Sequence, residues 1–458
     1  MKMQHSCTSN SKIKRIIEAF AFLILLLLSS VYASNRLQDK NCIYKNKDFF
    51  AEKNQFDVLF FGSSHMELFV SPMELWKKYG ITSYNFGAPE EGLPVTYWVM
   101  ANAFDINKPK VAVVDMHMFN LKGNYSSDEH VHYALDAFPI SKTKIDAIND
   151  LSLDFDNKME LFFPIGKYHG RWKSLNKASY ENIENYSKGS MSYGYWHTMN
   201  ITPFEQYPLI NKVADISEDS EDVLYLKKII QLCEDEDVEL LLVSNPYWCN
   251  EDKQSYIHKA EKIAGEYSVP YINFVDMNSV INMQIDMYDE GHVNQSGMHK
   301  ITDYLGNYLC SCYDFENHDS DELYIEWNKD YEDYKQLKYE SISVMAQSLD
   351  VLFECLNDDD INSYIYLGPN ANMGIDDNKI GLLLENIGSS KGKIIDEITC
   401  NRILESVISG YDEKIWDLTN YVIIITDANT DEVKIIRKFV SADCCEDLYN
   451  NVEKKYIE

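Results

Sequence analysis

The stretch Phe56-Asp57-Val58-Leu59-Phe60-Phe61-Gly62-Ser63-Ser64-His65 decides how the rest of the chain is read. Its first six residues form a nearly continuous apolar run, and the run stops at glycine and serine. Such runs, bounded by turn residues, read as strands buried on both faces of a parallel sheet. Four more follow: Ser83–Phe86 ending at Gly87, Val111–Val114 ending at Asp115, Val238–Ser244 ending at Asn245-Pro246, and Pro270–Phe274. Helical patterns lie between them, as over Val223–Cys233 and Gln254–Tyr267. Strands alternating with helices predict an α/β fold of three layers, a doubly wound parallel sheet with helices on both faces. Ligands in such sheets bind beyond the carboxyl ends of the strands, so polar residues gathered there carry the interest.

Outward from this core, the organisation changes twice. Residues 120–222 are too long for a crossover and rich in aromatics, including Phe162, Phe163, Tyr168, Trp172, Tyr193, Tyr195 and Trp196. They are expected to form an insertion that folds over the strand ends as a lid or substrate-binding element. Within it, Lys167-Tyr168-His169-Gly170-Arg171-Trp172 groups aromatic and basic side chains. His169 and Arg171 could grip a carbohydrate or phosphate, or the group could be a buried aromatic with capping charges. Residues 313–458 hold 13 basic and 32 acidic side chains, a balance of −19. With a helical pattern over Leu337–Cys355 and β-like runs at Ser363–Leu367, Leu382–Gly388 and Tyr421–Thr426, they predict a separate acidic C-terminal α+β domain.

Before the first strand, Lys12, Lys14 and Arg15 precede Ile16–Ala33, an 18-residue stretch of mostly apolar side chains. That length sits at the lower edge for crossing a bilayer. The basic flank keeps the N-terminal end in the cytoplasm and sends the remainder across. Residues 1–34 therefore read as a cytoplasmic tail and single-pass signal-anchor, with the bulk of the chain outside the cell membrane. Val31-Tyr32-Ala33 keeps a cleaved signal peptide open, and a buried core helix is a third reading.

Composition excludes some classes. The 458 residues carry 42 Lys and Arg against 73 Asp and Glu, a net charge of −31. A nucleic-acid binder needs a basic footprint, and none is present. Hydrophobic content of 45% excludes a wholly disordered chain. The 32 tyrosines are compatible with amphipathic, sugar-facing surfaces. The 10 cysteines include Cys310-Ser311-Cys312 and Cys444-Cys445, with no matching metal half-site; free thiols and disulfides both remain open.

Chemistry gathers at the strand ends. Ser64, at a strand-to-helix turn, can project a hydroxyl into the crevice, although most serines at such turns cap the helix, and Ser63 is its neighbour. Gly87 permits close approach of a backbone N–H, or is a turn glycine. Asp289-Glu290-Gly291-His292 precedes Val293-Asn294-Gln295-Ser296-Gly297 and a closing helix. A carboxylate three residues before a histidine can orient its imidazole, which can then take a proton from Ser64. Asp115 and His117 alternate at the end of the third strand; two ligands without a third make a poor metal site. No metal or cofactor is expected.

The order G-x-S, an isolated glycine after the second strand, then D-x-x-H-x-N-x-x-G resembles the SGNH/GDSL hydrolases over roughly residues 55–312, and implies a catalytic domain over residues 50–312. More narrowly it resembles their membrane-anchored extracytoplasmic branch, DltD-like and polysaccharide O-acetyltransferase-like, which often begins G-[ST]-S-[HE]. The resemblance implies a flavodoxin-like SGNH fold with Ser64 as nucleophile, His292 as general base and Asp289 as its orienting carboxylate. It places the Ser64 and Gly87 N–H groups in an oxyanion hole, with Asp115, His117 and Asn294 among the binding residues. One position departs: the third strand ends Val114-Asp115-Met116-His117-Met118, where the family offers an Asn donor. His117 could substitute, the hole could have two donors, or Asp115 could bind. The resemblance implies a serine acyltransferase that O-acetylates, or similarly acylates, a cell-envelope polysaccharide, with a membrane acyl-donor protein as partner. An esterase on envelope glycans and a non-catalytic carbohydrate-binding scaffold are the alternatives.

Overall fold

The structure, a computed structural model, describes residues 6–38, 46, 49–52, 54–119, 127–175, 201–277, 279–318, 320–345, 358–368, 393–408, 421–441 and 444–452. Tyr193, Tyr195, Trp196 and the run Leu382–Gly388 lie outside them.

The chain opens with helix α1 (Ser6–Leu37), then β1 (Val58–Phe61), the short helix α2 (Ser64–Glu67), α3 (Pro72–Tyr79), β2 (Ser83–Asn85), α4 (Leu93–Phe104) and β3 (Val111–Asp115). The insertion contributes α5 (Asp128–Leu135), α6 (Lys142–Asp150), α7 (Phe155–Phe162), α8 (Ile165–Tyr168) and a 3₁₀ turn over His169–Lys173. Then come α9 (Glu221–Glu236), β4 (Glu239–Ser244), α10 (Glu251–Glu266), β5 (Tyr271–Asn273) and α11 (Gln295–Cys312).

The first sheet has five parallel strands in the order β2-β1-β3-β4-β5, the flavodoxin-like order. Continuous apolar runs form it because both faces are covered: every residue of β1 and β3 is buried. Phe60 pairs with Asn85 on one side and Val113 on the other, and is fully buried. Side chains of that size contribute about 1.5–3 kcal/mol each on burial. Helix α3 packs with α11 on one flank; α4 packs with α9 and α6 on the other. All five strands point their carboxyl ends to one edge. There the chain order reverses between β1 and β3, and Ser64, Asp115 and Asn245 emerge beside that switch point.

The C-terminal region contains a second, mixed sheet. Helix α12 (Ile325–Met345) leads to β6 (Ile361–Leu367), β7 (Lys393–Ile395), α13 (Glu397–Val407), β8 (Tyr421–Asp427), β9 (Val433–Ser441) and β10 (Cys444–Asn450). Their order is β10-β9-β8-β6-β7, antiparallel except for β6 against β7. Cys400 and Leu404 of α13 pack on Tyr366, Val422, Ile424 and Ile436 of the sheet. Helix α12 begins twelve residues before the pattern expected at Leu337. Three of its buried positions, Trp327, Tyr331 and Tyr334, are amphipathic rings spaced at helical intervals among charges, which disguises an apolar stripe. Those three rings belong to the core of the first sheet, not the second.

Several tyrosines, among them Tyr84, Tyr334 and Tyr421, are fully buried, so the surface role expected of tyrosine is corrected for these. Among the described cysteines, Cys233, Cys249, Cys310, Cys312 and Cys400 are free thiols.

Helix α1 includes a segment, Lys12–Ser34, long and apolar enough to cross a membrane. At 1.5 Å per residue those 23 residues reach about 34 Å, against about 30 Å for a hydrocarbon core. Residues 12–29 of α1 are exposed, which excludes the buried-core-helix reading. Its last turns, around Ser34 and Gln38, pack on α8 and the 3₁₀ turn.

Candidate active site

Gly62 leaves β1 with φ of +141°, a conformation that side chains rarely adopt. A Cβ there would also stand 2.9 Å from the Asp115 Cβ, so the turn closes onto β3 only through glycine. Ser63 then caps α2: its hydroxyl accepts the His65 N–H at 3.3 Å. With the cap filled by Ser63, the Ser64 hydroxyl turns outward and meets His292 Nε2 at 2.8 Å.

His292 is fixed from its other side. Its Nδ1 lies 2.9 and 3.0 Å from the two Asp289 carboxylate oxygens. Asp289 Oδ1 also accepts the backbone N–H groups of Gly291 and His292, both at 2.8 Å. Backbone bonds from Tyr288 and Asp289 back to the His292 carbonyl close the turn. A carboxylate so loaded favours the proton on Nδ1, leaving the Nε2 lone pair to accept from Ser64. The sequence-predicted Ser64, His292 and Asp289 are thus brought together from two loops, Ser64 from the turn after β1 and the Asp289–His292 pair from the turn before α11. Thr202 and Phe204 brace the Asp289 loop through bonds to the Met287 and Met283 carbonyls.

Asp115 takes a different place from a binding residue. It is buried, and its oxygens accept the His117 N–H at 3.2 Å, the Asn245 N–H at 3.3 Å and the Ser63 hydroxyl at 3.5 Å. It ties the ends of β1, β3 and β4 together. Burial pushes its pKa up to about 7, against the opposing pull of those three donors. Its charge is turned inward and partly suppressed, so it does not confront an oxyanion.

His117 follows the end of β3, two residues beyond Asp115. Its ring stacks on His65 at 3.3 Å between centroids and 15° between planes, and Tyr247 closes edge-on at 4.7 Å. Burial, then the Lys253 ammonium and His292, lower its pKa to about 3. Burial, then His117, His292 and Lys253, hold His65 well below the usual imidazole range. Both imidazoles are therefore neutral near pH 7, and a neutral imidazole carries one N–H donor.

Other sequence-predicted residues are placed elsewhere. The Gly87 N–H is spent on the Asn85 side-chain oxygen at 2.9 Å. Its missing Cβ serves packing, since a Cβ would come 2.2 Å from the Glu67 nitrogen. Asn294 is fully buried and caps α11, accepting the Gly297 N–H at 3.2 Å and donating to the Ile285 carbonyl at 2.8 Å. It stiffens the loop behind His292 and has no free face for a ligand. Arg171 donates to the Leu37 carbonyl at 3.1 Å, and His169 Nδ1 contacts the Gly166 carbonyl at 2.6 Å. Both sit beside the end of α1, not at Ser64.

Sequence reading missed His65, Asn245 and Tyr247. Asn245 bridges its own N–H to Asp115 and its side-chain NH₂ to the His65 carbonyl at 3.0 Å. Its signal was available: it follows a buried strand directly, on the edge where the other site residues emerge. Among the described residues, one potential metal cluster, His258 with Glu261 and Asp276, lies outside the triad and is largely exposed.

No family model matches the chain, and no curated protein matches it. Among solved structures it is similar to the crystal structure of a "putative acylhydrolase" from Bacteroides fragilis. The likeness has a TM-score of 0.27 and 10% identity, over 57% of this chain and 89% of that one. At so low a similarity, the chemistry is read from the triad itself.

Proposed function

We propose that the protein is a serine acyl-transfer enzyme of the SGNH type, held at the outer face of a cell membrane by α1. It moves a small acyl group onto a hydroxyl of an envelope polysaccharide. The observation that carries this reading is the continuous relay from Ser64 Oγ through His292 to Asp289.

In the first half-reaction His292 Nε2 takes the Ser64 proton while Oγ attacks the acyl carbonyl carbon. The negative charge on the carbonyl oxygen is met by the Ser64 N–H, at the first turn of α2, and by the N–H of neutral His117. As the intermediate collapses, the bond to the leaving oxygen breaks and His292 returns its proton there. An ester on Ser64 remains. In the second half, His292 takes the proton of the acceptor hydroxyl as its oxygen attacks that ester; the acyl–Oγ bond then breaks and His292 returns the proton to Ser64 Oγ. Water in place of a sugar hydroxyl makes the same machinery an esterase. The partial exposure of His292 and Asp289 leaves room for either acceptor.

The test begins with the full chain in detergent and a fluorophosphonate probe, with Ser64→Ala beside it. Labelling of the wild type alone supports an activated serine. A folded but unlabelled wild type would sink the catalytic reading in favour of a scaffold. Acetyl transfer from an aryl acetate to a neutral oligosaccharide, measured against hydrolysis, then separates transferase from esterase.

A further inference from the structure

We propose that an apolar cavity between the end of α1 and the insertion receives an acyl chain of a membrane lipid, and that the strip ending at Trp172 rests among the lipid headgroups. The inference rests on the reading of α1 as a membrane anchor and adds a lipid-binding site to it.

The cavity measures about 630 Å³, within the range of built small-molecule sites. Leu27 and Val31 of α1 form one wall; Phe138, Ile140, Phe162 and Ile165 form the other. Leu27 and Val31 also belong to the span Lys12–Ser34. The cavity thus begins at the depth where the helix leaves the hydrocarbon, so its mouth faces lipid tails. Its polar neighbours are mostly engaged internally, the exception being Ser34, whose buried hydroxyl has no hydrogen-bond partner among the described residues. Asp136 accepts from Tyr168 at 2.8 Å and contacts His132 Nδ1 at 2.9 Å. Lys144 Nζ donates to the Phe138 carbonyl at 2.7 Å, and Gln38 donates to the Asp136 carbonyl at 3.3 Å. What remains for an occupant is chiefly apolar surface, with the Ser34 hydroxyl at the α1 wall.

The surrounding skin has the character of a membrane interface. Ile140, Phe163 and Trp172 are 57%, 53% and 63% exposed. Residues 161–173 carry Lys167, Arg171 and Lys173 and no acidic side chain, in a chain whose net charge is −31. Tryptophan with basic residues beside apolar ones is the composition that settles at headgroup level. The Arg171 bond to the Leu37 carbonyl fixes this strip to the anchor, so the two enter the interface as one piece.

The full chain is placed in nanodiscs of phosphatidylcholine and phosphatidylglycerol containing a minor fraction of phosphatidylcholine with a diazirine at the end of one acyl chain. After irradiation, labelled peptides are mapped. Label in 136–144 and 161–165, as well as in 12–34, is the expected result. Ala137→Trp, which fills the cavity, and Ile140→Glu, an exposed change that leaves the core intact, should each bring the 136–165 label to background while 12–34 stays labelled. Fluorophosphonate labelling of Ser64 confirms that each variant is folded. Label confined to 12–34 overturns the cavity proposal, and so does photo-crosslinking of two copies through 136–165 in place of lipid. Loss of label from 12–34 as well would instead overturn the anchor reading beneath it.

Discussion

Ser63 and Ser64 are adjacent, yet the structure divides two roles between them: Ser63 caps α2 and Ser64 faces His292. The cap releases the next hydroxyl from backbone duty. Ser64→Ala should abolish fluorophosphonate labelling and lower esterase turnover by at least about 10³-fold. Ser63→Ala should keep the labelling and cost about 1 kcal/mol of stability through the lost cap. Urea titration and labelling on the same samples check both, and equal labelling of the two variants would refute the assignment.

Asp289 holds His292 Nδ1 and, through the Gly291 and His292 N–H groups, the turn that carries the imidazole. Replacing it with Asn keeps size and removes the charge that favours the reactive tautomer. Asp289→Asn should lower kcat by about 10³–10⁴-fold with little change in KM. A drop in KM-dependent binding alone, with kcat intact, would show that the carboxylate holds substrate instead.

The pocket around His117 was only partly legible in the sequence. The parallel sheet could be read because buried strands are apolar throughout, and Ser64, Asp289 and His292 because each follows a strand end or a closing loop. Asn294 was misplaced: the D-x-x-H-x-N spacing does not show that the side chain turns back to cap α11. Gly87 stayed open between two roles because a glycine is silent about whether its N–H or its missing Cβ is used. The role of Asp115 depends on donors from β1 and β4, which no local pattern shows. His169 and Arg171 could be read as a substrate grip or as charges capping an aromatic, because their composition is the same whether they face a sugar or the end of α1.

His117 is predicted to supply an N–H to the oxyanion while staying neutral, since its pKa of about 3 lies far below working pH. His117→Phe should lower kcat by about 10²–10³-fold. His117→Asn, which restores a neutral donor, should recover part of that loss. The pH profile of kcat between pH 5 and 9 should keep its shape in both variants. A new or lost inflection there would mean that His117 titrates during turnover.

Asp115 should make stability depend on pH in the direction opposite to a salt-bridged carboxylate. Its pKa is raised from 3.8 to about 7 in the fold, so the folded state binds the proton more tightly than the unfolded chain. That contribution is full below about pH 4 and is lost as pH rises to about 7, where it levels off. At 1.36 kcal/mol per unit the loss is on the order of 4 kcal/mol. Asp115→Asn stays neutral, so the difference in unfolding free energy between variant and wild type should grow in the variant's favour from pH 4 to pH 7. A flat difference across that range refutes the burial of an ionisable Asp115.

Lys338 joins α12 to the second sheet through a fully buried contact. Its ammonium donates to Asp358 at 2.9 Å and to Asp360 at 2.6 Å, and lies 5.3 Å from the Tyr334 ring centre. Burial alone would push its pKa down, but the two carboxylates outweigh it and hold Lys338 well above the ordinary value. Asp360 in turn is held below the usual carboxylate range, burial being overcome chiefly by Lys338. Removing one partner of such a group strands the other charges without water, which costs about 3–5 kcal/mol. Lys338→Met should therefore lower the unfolding free energy by that amount. Because Tyr334 of the same helix reaches Ser71 and Glu74 beside the first sheet, the loss should appear in the main unfolding transition and not in a separate early one. Ser64 labelling of the folded fraction should be unchanged, since no contact of Lys338 reaches the triad loops. An early, separate transition in Lys338→Met, with the main one unmoved, would show that the second sheet is an independently folding unit attached only through this cluster.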